Sequence, residues 1–366
     1  MADGFNHQTR EMAMARVARR LSPPRLGISC GFSTVLVLLV SSIFPASAAA
    51  FRNLTTITFE EAYRPLFGES NLRHSADGRA VSLLLGRNGG SGFVSSEMYS
   101  NGFFSASIKL PSGYTAGVVV AFYASNGEVF RGGHDEVDME FLGDVRAGSW
   151  RLQTNVYGNG STGRGREERY RLPFDPSLRA HRYSILWANH SIVFYVDNTP
   201  VREVRRSGAM EGDYPSRPMW VYATIWDASA WATSGGRYGV DYRLAPFASE
   251  FSGLVLRGCR FHGAEGRDGC ARVEVELAAA DYGAVPPERR LAMRGFREKY
   301  MTYSFCYDVE RYPVAFPECD AAPSEKRRFG DDGHLKGGRR HRHARRQSRV
   351  PDDGDDDPEE SEAGEC

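Results

Sequence analysis

The sequence predicts an all-β fold, an antiparallel sandwich with its core between two sheets. Three observations carry this expectation. From Phe51 to about Cys259, one short segment follows another: SGFVSSEMY, GFFSASIKL, AGVVVAFYA, EVDMEFLG, WRLQTNVYG, HRYSILWA, SIVFYVDN, VREVRR and MWVYATIW. They alternate or run apolar, and are rich in β-branched and aromatic residues. Glycines and Asp/Asn/Ser/Pro clusters separate them, while helical periodicity is almost missing over this stretch.

The N-terminus comes first in order. Arginines at 10, 16, 19, 20 and 25 precede an apolar stretch, Gly31 to Ala50, that contains VLVLLV and ends PASAAA. A basic region, a short apolar centre and small residues before a cut near Ala50 describe a signal peptide over 1–50. The apolar centre is short for a membrane span, and no later segment would cross a bilayer. Secretion is therefore expected, with no membrane attachment after cleavage. The remaining chain of about 316 residues suffices for one large sandwich with an addition, here placed at 51–258 and 259–320. Within the sandwich, NHSIVFYVDNTPVREV describes two strands joined across DNTP.

After the strands the texture changes. PPERRLAMRGFREKYMTYSF, at 286–305, has a Pro-led, charged opening and apolar residues at 291, 293, 296, 300 and 303. It predicts a helix leading into Cys306 and packed on an edge or end of the sandwich. Of the six cysteines, Cys30 lies in the leader and Cys366 ends the chain. The other four allow three pairings. Cys259–Cys270 with Cys306–Cys319 closes two short loops and is favoured, and disulfides suit an extracellular protein. Neither pair has the CxxC spacing of a zinc site.

Residues 321–366 run basic and then acidic, in KRRFGDDGHLKGGRRHRHARRQSRV and PDDGDDDPEESEAGEC. Such a composition predicts a disordered tail. Its histidines, His334, His341 and His343, sit among basic residues that disfavour a bound cation. Over the whole chain 46 Lys and Arg balance 46 Asp and Glu, which gives no field argument for nucleic acid. Asn-X-Ser/Thr triplets occur at Asn53, Asn159 and Asn189. Asn159, in the turn-rich NGSTGRG, is the best glycosylation candidate.

The chemistry is concentrated in HDEVDMEFLG, His134 to Gly143. A calcium loop of the EF-hand type starting at Asp135 would need glycine where Glu140 stands. A zincin helix would need a second histidine. No metal and no cofactor is expected. A strand sorts the run by its period of two. His134, Glu136, Asp138 and Glu140 share one face; Val137, Met139 and Phe141, with Asp135, take the other. A solvated strand face would explain the alternation but not three carboxylates in one line, since close like charges repel.

Four residues at about 3.3 Å rise put the Glu136 and Glu140 backbones roughly 13 Å apart. Side-chain reach on a concave sheet leaves about 5 Å between carboxyls, the separation of a retaining rather than an inverting glycosidase. Asp138, midway, crowds both, so at least one carboxyl must be hard to ionise. Strand symmetry does not say which glutamate is acid and which is nucleophile.

HDEVDMEFLG is similar to HDEIDFEFLG of the plant xyloglucan endotransglucosylase/hydrolase family, within glycoside hydrolase family 16. SGFVSS at 91–96, GFFSASIKLP at 102–111, AGVVVAFY at 116–123, RYSILW at 182–187, WDASAWATSGG at 226–236 and YMTYSFCYDVERYP at 300–313 extend the resemblance over about 55–320. It implies a curved, concanavalin-like β-jelly-roll with a small cysteine-bearing extension, and the subgroup with long C-terminal tails. It implies Glu136 as nucleophile, Asp138 as assisting residue and Glu140 as general acid/base. The expected reaction cuts the β-1,4-glucan backbone of xyloglucan and passes it to a xyloglucan chain or oligosaccharide, or to water. A plant cell-wall, apoplastic location and a monomer are expected. Gly133, Met139 and Gly86 depart from the usual asparagine, aromatic residue and aspartate.

Aromatic rings suit the apolar faces of sugars, so Trp226 and Trp231 are groove candidates, with core packing the alternative for each. The resemblance supports Trp231 in particular, with Gly235 and Gly236 shaping its loop. Tyr99, Tyr123, Asn155 and His134 complete the candidate substrate-binding set, both tyrosines being equally suited to a core. The segment 226–243 has no long insertion of the kind associated with the family's dedicated hydrolases, which favours transfer. A hydrolytic xyloglucanase, a related β-glucanase and a non-catalytic wall-binding lectin are the alternatives; fold alone does not choose among them.

Overall fold

The structure is a computed structural model describing residues 51, 54–262, 270–319 and 322–337. The expected signal peptide, Asn53 and residues 338–366 lie outside the described residues. No helix among those described is long and apolar enough to cross a membrane.

The described chain forms a curved antiparallel sandwich of two sheets. Its strands are β1 (Tyr63–Phe67), β2 (Leu72–His74), β3 (Ala80–Leu85), β4 (Ser91–Ser95), β5 (Tyr99–Lys109), β6 (Val118–Ser125), β7 (Glu136–Leu142) and β8 (Arg151–Tyr157). Then come β9 (Glu168–Arg171), β10 (His181–Trp187), β11 (Ser191–Val196), β12 (Thr199–Arg205), β13 (Trp220–Asp227), β14 (Phe247–Arg260), β15 (Met301–Asp308) and β16 (Asp332–His334). The larger sheet runs β1-β4-β13-β6-β7-β8-β9-β15-β16, which puts β7, the acidic strand, at its centre. The other sheet runs β12-β11-β10-β5-β14-β3-β2.

One face of every central strand feeds a common core. Val137, Met139 and Phe141 of β7 meet Phe122, Leu152 and Tyr183 there, all fully buried. Met139 fills its aromatic-sized place without exposure, as a flexible side chain can. A slip of one residue would bury the carboxylates instead, so this core fixes the register of β7.

Helices cover the ends. The short α1 (Phe59–Ala62) precedes β1, and α2 (Cys270–Ala279) packs on the outer face of the smaller sheet. There Leu277 and the following Tyr282 and Val285 join Phe103, Val193, Tyr195 and Val255. The predicted helix is α3 (Pro287–Tyr300); it ends earlier than expected, because Met301 begins a strand of the larger sheet. Phe296 buries against Tyr170, and Arg290 pairs with Glu203 of β12. Both expected disulfides are present, with Cα–Cα distances of 5.1 Å for Cys259–Cys270 and 5.5 Å for Cys306–Cys319.

One expectation needs correcting. The tail does not begin at 321: residues 322–337 form α4 (Pro323–Lys326) and β16, which pairs with β15. Apolar and ionic anchors outweigh the charged composition here. Phe329 stacks on Tyr307 at 4.9 Å, Leu335 N donates to Thr302 O at 3.3 Å, and Glu325 accepts from Arg297 Nε at 2.9 Å.

Candidate active site

The centre of the larger sheet carries a cleft of about 510 Å³ on the face opposite the core. Its position follows from strand pairing, since partners directly opposite on neighbouring strands point to the same side. Glu136, Asp138 and Glu140 of β7 oppose Tyr157, Asn155 and Gln153 of β8. On the other flank they oppose Ser125, Tyr123 and Ala121 of β6. The row through Glu140 crosses the sheet from Phe67, Gly92, Thr224 and Ala121 on one side to Gln153 and Arg169 on the other. The cleft therefore runs across the strands, open to a chain-like ligand rather than closed around a small one.

The three carboxyls are held differently. Glu136 Oε2 lies 2.9 Å from His134 Nε2, which is also 3.0 Å from Ser125 Oγ. The Glu136 contact raises the His134 pKa, which favours an imidazole that donates to this carboxylate. Asp138 is buried and hydrogen-bonded to Glu136 and Asn155. Burial, then the charges of Glu136 and Glu140, push its carboxyl well above the usual carboxylate range. It therefore holds a proton that Glu136 can accept as a hydrogen bond. Burial also pushes Glu140 up to about 7, against the Gln153 hydrogen bond. Gln153 Nε2 donates to Glu140 Oε2 at 2.6 Å, and Arg169 Nε donates to Gln153 Oε1 at 2.6 Å, so Arg169 fixes which way the amide points. A carboxyl poised to exchange a proton near neutrality, in line with two others, is an arrangement suited to general acid/base chemistry.

Most of the predicted residues meet in this cleft. Tyr123, Asn155, Trp226 and Trp231 line it with the three carboxyls. Tyr123 stacks on Tyr222 at 4.9 Å, and the Trp226 and Trp231 rings lie 6.1 Å apart. The Trp231 loop is pinned by Thr233 Oγ1, which accepts from Gly117 N at 2.8 Å and donates to Gly143 O at 2.9 Å. Gly235 and Gly236 turn it through left-handed backbone; a Cβ at Gly236 would meet the Ala230 carbonyl oxygen at 2.2 Å. Tyr99 is the exception. It is 2% exposed and packs on Phe104 in the core, so it cannot face the groove.

Asn159 sits exposed in a turn after β8 with φ of 51°. Its N–H donates to buried Asp135 Oδ1 at 2.6 Å, and its Oδ1 accepts from Arg217 at 2.7 Å. A Cβ at Gly133 would lie 2.0 Å from the Arg217 guanidinium, which also donates to the Gly133 carbonyl oxygen. Gly86 closes a turn with Gly89, and a Cβ there would meet open space.

The sequence reading missed Gln153, Tyr157, Glu167 and Arg169. Period two in WRLQTNVYG puts Gln153 and Tyr157 on the face of Asn155, so that signal was available. Nothing local marks Glu167 or Arg169, whose proximity comes from pairing of β8 with β9.

A family model, Glycosyl hydrolases family 16, matches residues 59–244, and a second, Xyloglucan endo-transglycosylase (XET) C-terminus, matches 278–319. The chain is 53% identical over 322 residues to the probable xyloglucan endotransglucosylase/hydrolase protein 30 of Arabidopsis thaliana, covering 87% of this chain and 94% of that one. This chain belongs to the xyloglucan endotransglucosylase/hydrolase family. Protein 29 of the same family and plant is 52% identical, over 84% of this chain and 89% of that one. Protein 27 is 50% identical, over 86% and 95%. Membership makes the chain a family 16 glycosidase or transglycosylase, and its C-terminal family segment is the part that contributes α3 and β15 to the sandwich.

Proposed function

We propose that this protein is a xyloglucan endotransglucosylase acting by double displacement in the plant cell wall, to which a cleaved signal peptide would deliver it. The observation that carries the proposal is the line of carboxyls on β7, in which Asp138 and Glu140 keep protons while Glu136 is steadied by His134. In the first step a Glu136 oxygen attacks the anomeric carbon of the donor and forms a glycosyl ester. Glu140 gives its proton to the departing glycosidic oxygen, which leaves as the hydroxyl of the cut chain. Asp138 donates a hydrogen bond to Glu136 and moderates the charge that builds when the ester later breaks. In the second step a hydroxyl of another xyloglucan chain attacks the anomeric carbon. Glu140 takes the hydroxyl proton, Glu136 is released as carboxylate, and the new glycosidic bond retains the original configuration.

Trp226, Trp231 and Tyr123 offer aromatic surface to pyranose faces along the cleft. Asn159, exposed and in a turn, is the expected glycosylation position. The test is incubation with xyloglucan and a labelled xyloglucan oligosaccharide. Label entering polymer is the expected result. Reducing ends that accumulate without label would reassign the enzyme to hydrolysis, and labelling by Glu136→Gln equal to that of the unaltered protein would remove Glu136 from the mechanism.

A further inference from the structure

The face that carries the cleft continues beyond Arg169. Tyr303 of β15 is the direct cross-strand partner of Arg169, and His334 of β16 is the partner of Tyr303. Glu140, Gln153, Arg169, Tyr303 and His334 thus form one row over five adjacent strands. A register shift between Met301 and Tyr303 makes this possible. Met301 stays in the core and Ser304 Oγ bonds buried Glu168, so Tyr303 turns to the cleft side.

Contacts along the row are continuous. The Arg169 guanidinium lies 5.2 Å from the Tyr303 ring, and the His334 ring lies 4.8 Å from it on the other side. Tyr303 is covered by these neighbours at 4% exposure, whereas the His334 side chain is 55% exposed. His334 is also oriented: its Nδ1–H donates to the Asp332 carbonyl at 2.8 Å, which leaves Nε2 and a ring face for a ligand. An imidazole braced at 51° against a buried aromatic ring has the amphipathic character that suits a sugar, with an apolar face and a polar edge.

We infer that His334 is a carbohydrate-contacting residue that adds a remote binding position to the groove, on a strand lying after the matched family C-terminal segment of 278–319. Four strand spacings of about 4.8 Å put it roughly 19 Å from Glu140, several sugars from the cleaved bond. The occupant is a backbone glycosyl residue of the polysaccharide, so the inference rests on the proposed reaction. Contacts this far from the reacting atoms strengthen the hold on long chains and leave short ones untouched.

The test compares full-length wild type, His334→Ala and His334→Trp in transfer assays with xyloglucan oligosaccharides of increasing length, used as acceptors and then as donors. With the shortest oligosaccharide all three proteins should match in kcat and KM. With the longest in one of the two series, His334→Ala should raise KM about threefold to tenfold at unchanged kcat, and tryptophan should restore it. An alanine effect of the same size at every length, or none at any length in either series, overturns the inference. Retardation of the three proteins in gels containing xyloglucan separates it from the reaction itself. Weaker retardation of the alanine variant supports the site even if wild type transfers nothing, and equal retardation refutes it.

Discussion

At the scale of single residues, the site depends on hydrogen bonds that divide protons unequally among similar carboxyls. Glu140 lies near 7 because burial outweighs the Gln153 donor, and Gln153 in turn is oriented by Arg169. Gln153→Leu removes a donor that favours the ionised form, so the Glu140 pKa should rise further. The alkaline limb of kcat/KM, which falls in wild type as Glu140 loses its proton near pH 7, should move to higher pH. An unmoved limb in the pH profile would show that another group sets it.

At the scale of elements, β7 needs both a core-side anchor and a fixed entry point. Asp135 supplies the second. It is 1% exposed and accepts from three backbone N–H groups, those of Asn159, Ser216 and Arg217, at 2.6–2.8 Å. The loops before β7, after β8 and before β13 are thereby joined at one carboxylate. Asp135→Ala would leave these donors short of an acceptor, at a cost of about 3 kcal/mol or more. A fall in Tm of about 5 °C or more is expected for a domain of this size. Calorimetry checks it, and a change within 2 °C of wild type would mean that water replaces the carboxylate at about equal strength. The same reasoning applies to Arg166, whose N–H donates to Asn155 Oδ1 while its side chain reaches Glu318, next to Cys319. The C-terminal segment therefore helps to hold the residue that holds Asp138.

At the scale of the whole molecule, two buried glutamates respond to pH in opposite directions. Glu168 joins the sandwich to α3 through Arg297, which in turn holds Glu325 of α4. Burial disfavours the Glu168 charge, but Arg297 and Arg202 overcome this and hold it at about 2. Its stabilisation is complete above the unfolded carboxylate value of about 4.3 and is lost as pH falls toward 2. Glu140, raised to about 7, behaves oppositely: its share is complete below about 4.3 and lost as pH rises through 7. Each shift corresponds to about 3 kcal/mol. Thermal unfolding of Glu140→Gln should thus lose part of the decline that wild type shows between about pH 4.3 and 7. Glu168→Gln should be less stable than wild type at neutral pH, with the gap narrowing in acid. Parallel Tm curves for wild type and both variants would refute the assignment of these slopes.

The architecture was legible wherever a strand carries its own pattern. Alternation sorted HDEVDMEFLG into a core face and a carboxylate face, and the structure buries Val137, Met139 and Phe141 accordingly. Strands β1 to β3, β9, β14 and β15 escaped the sequence reading because their patterns are short, charged or interrupted, and the strands they pair with stabilise them, a single partner in the case of the edge strands β1 and β2. Tyr99 shows a limit of another kind: an aromatic residue beside a groove-forming segment has no local mark that tells which layer it will enter. His334 shows the converse, since composition placed it in a disordered tail while Phe329 and Leu335 carried enough burial to dock it. By itself the sequence determined the fold class, the register of the acidic strand and the shared face of its three carboxyls, and it favoured the disulfide pairs found, because each depends on residues close along the chain. Only the tertiary structure decided that Gln153 and Arg169 support Glu140, that Tyr99 is core, and that β16 prolongs the groove. Those facts arise from pairing between distant strands, and pairing is chosen by the packing of the whole sandwich.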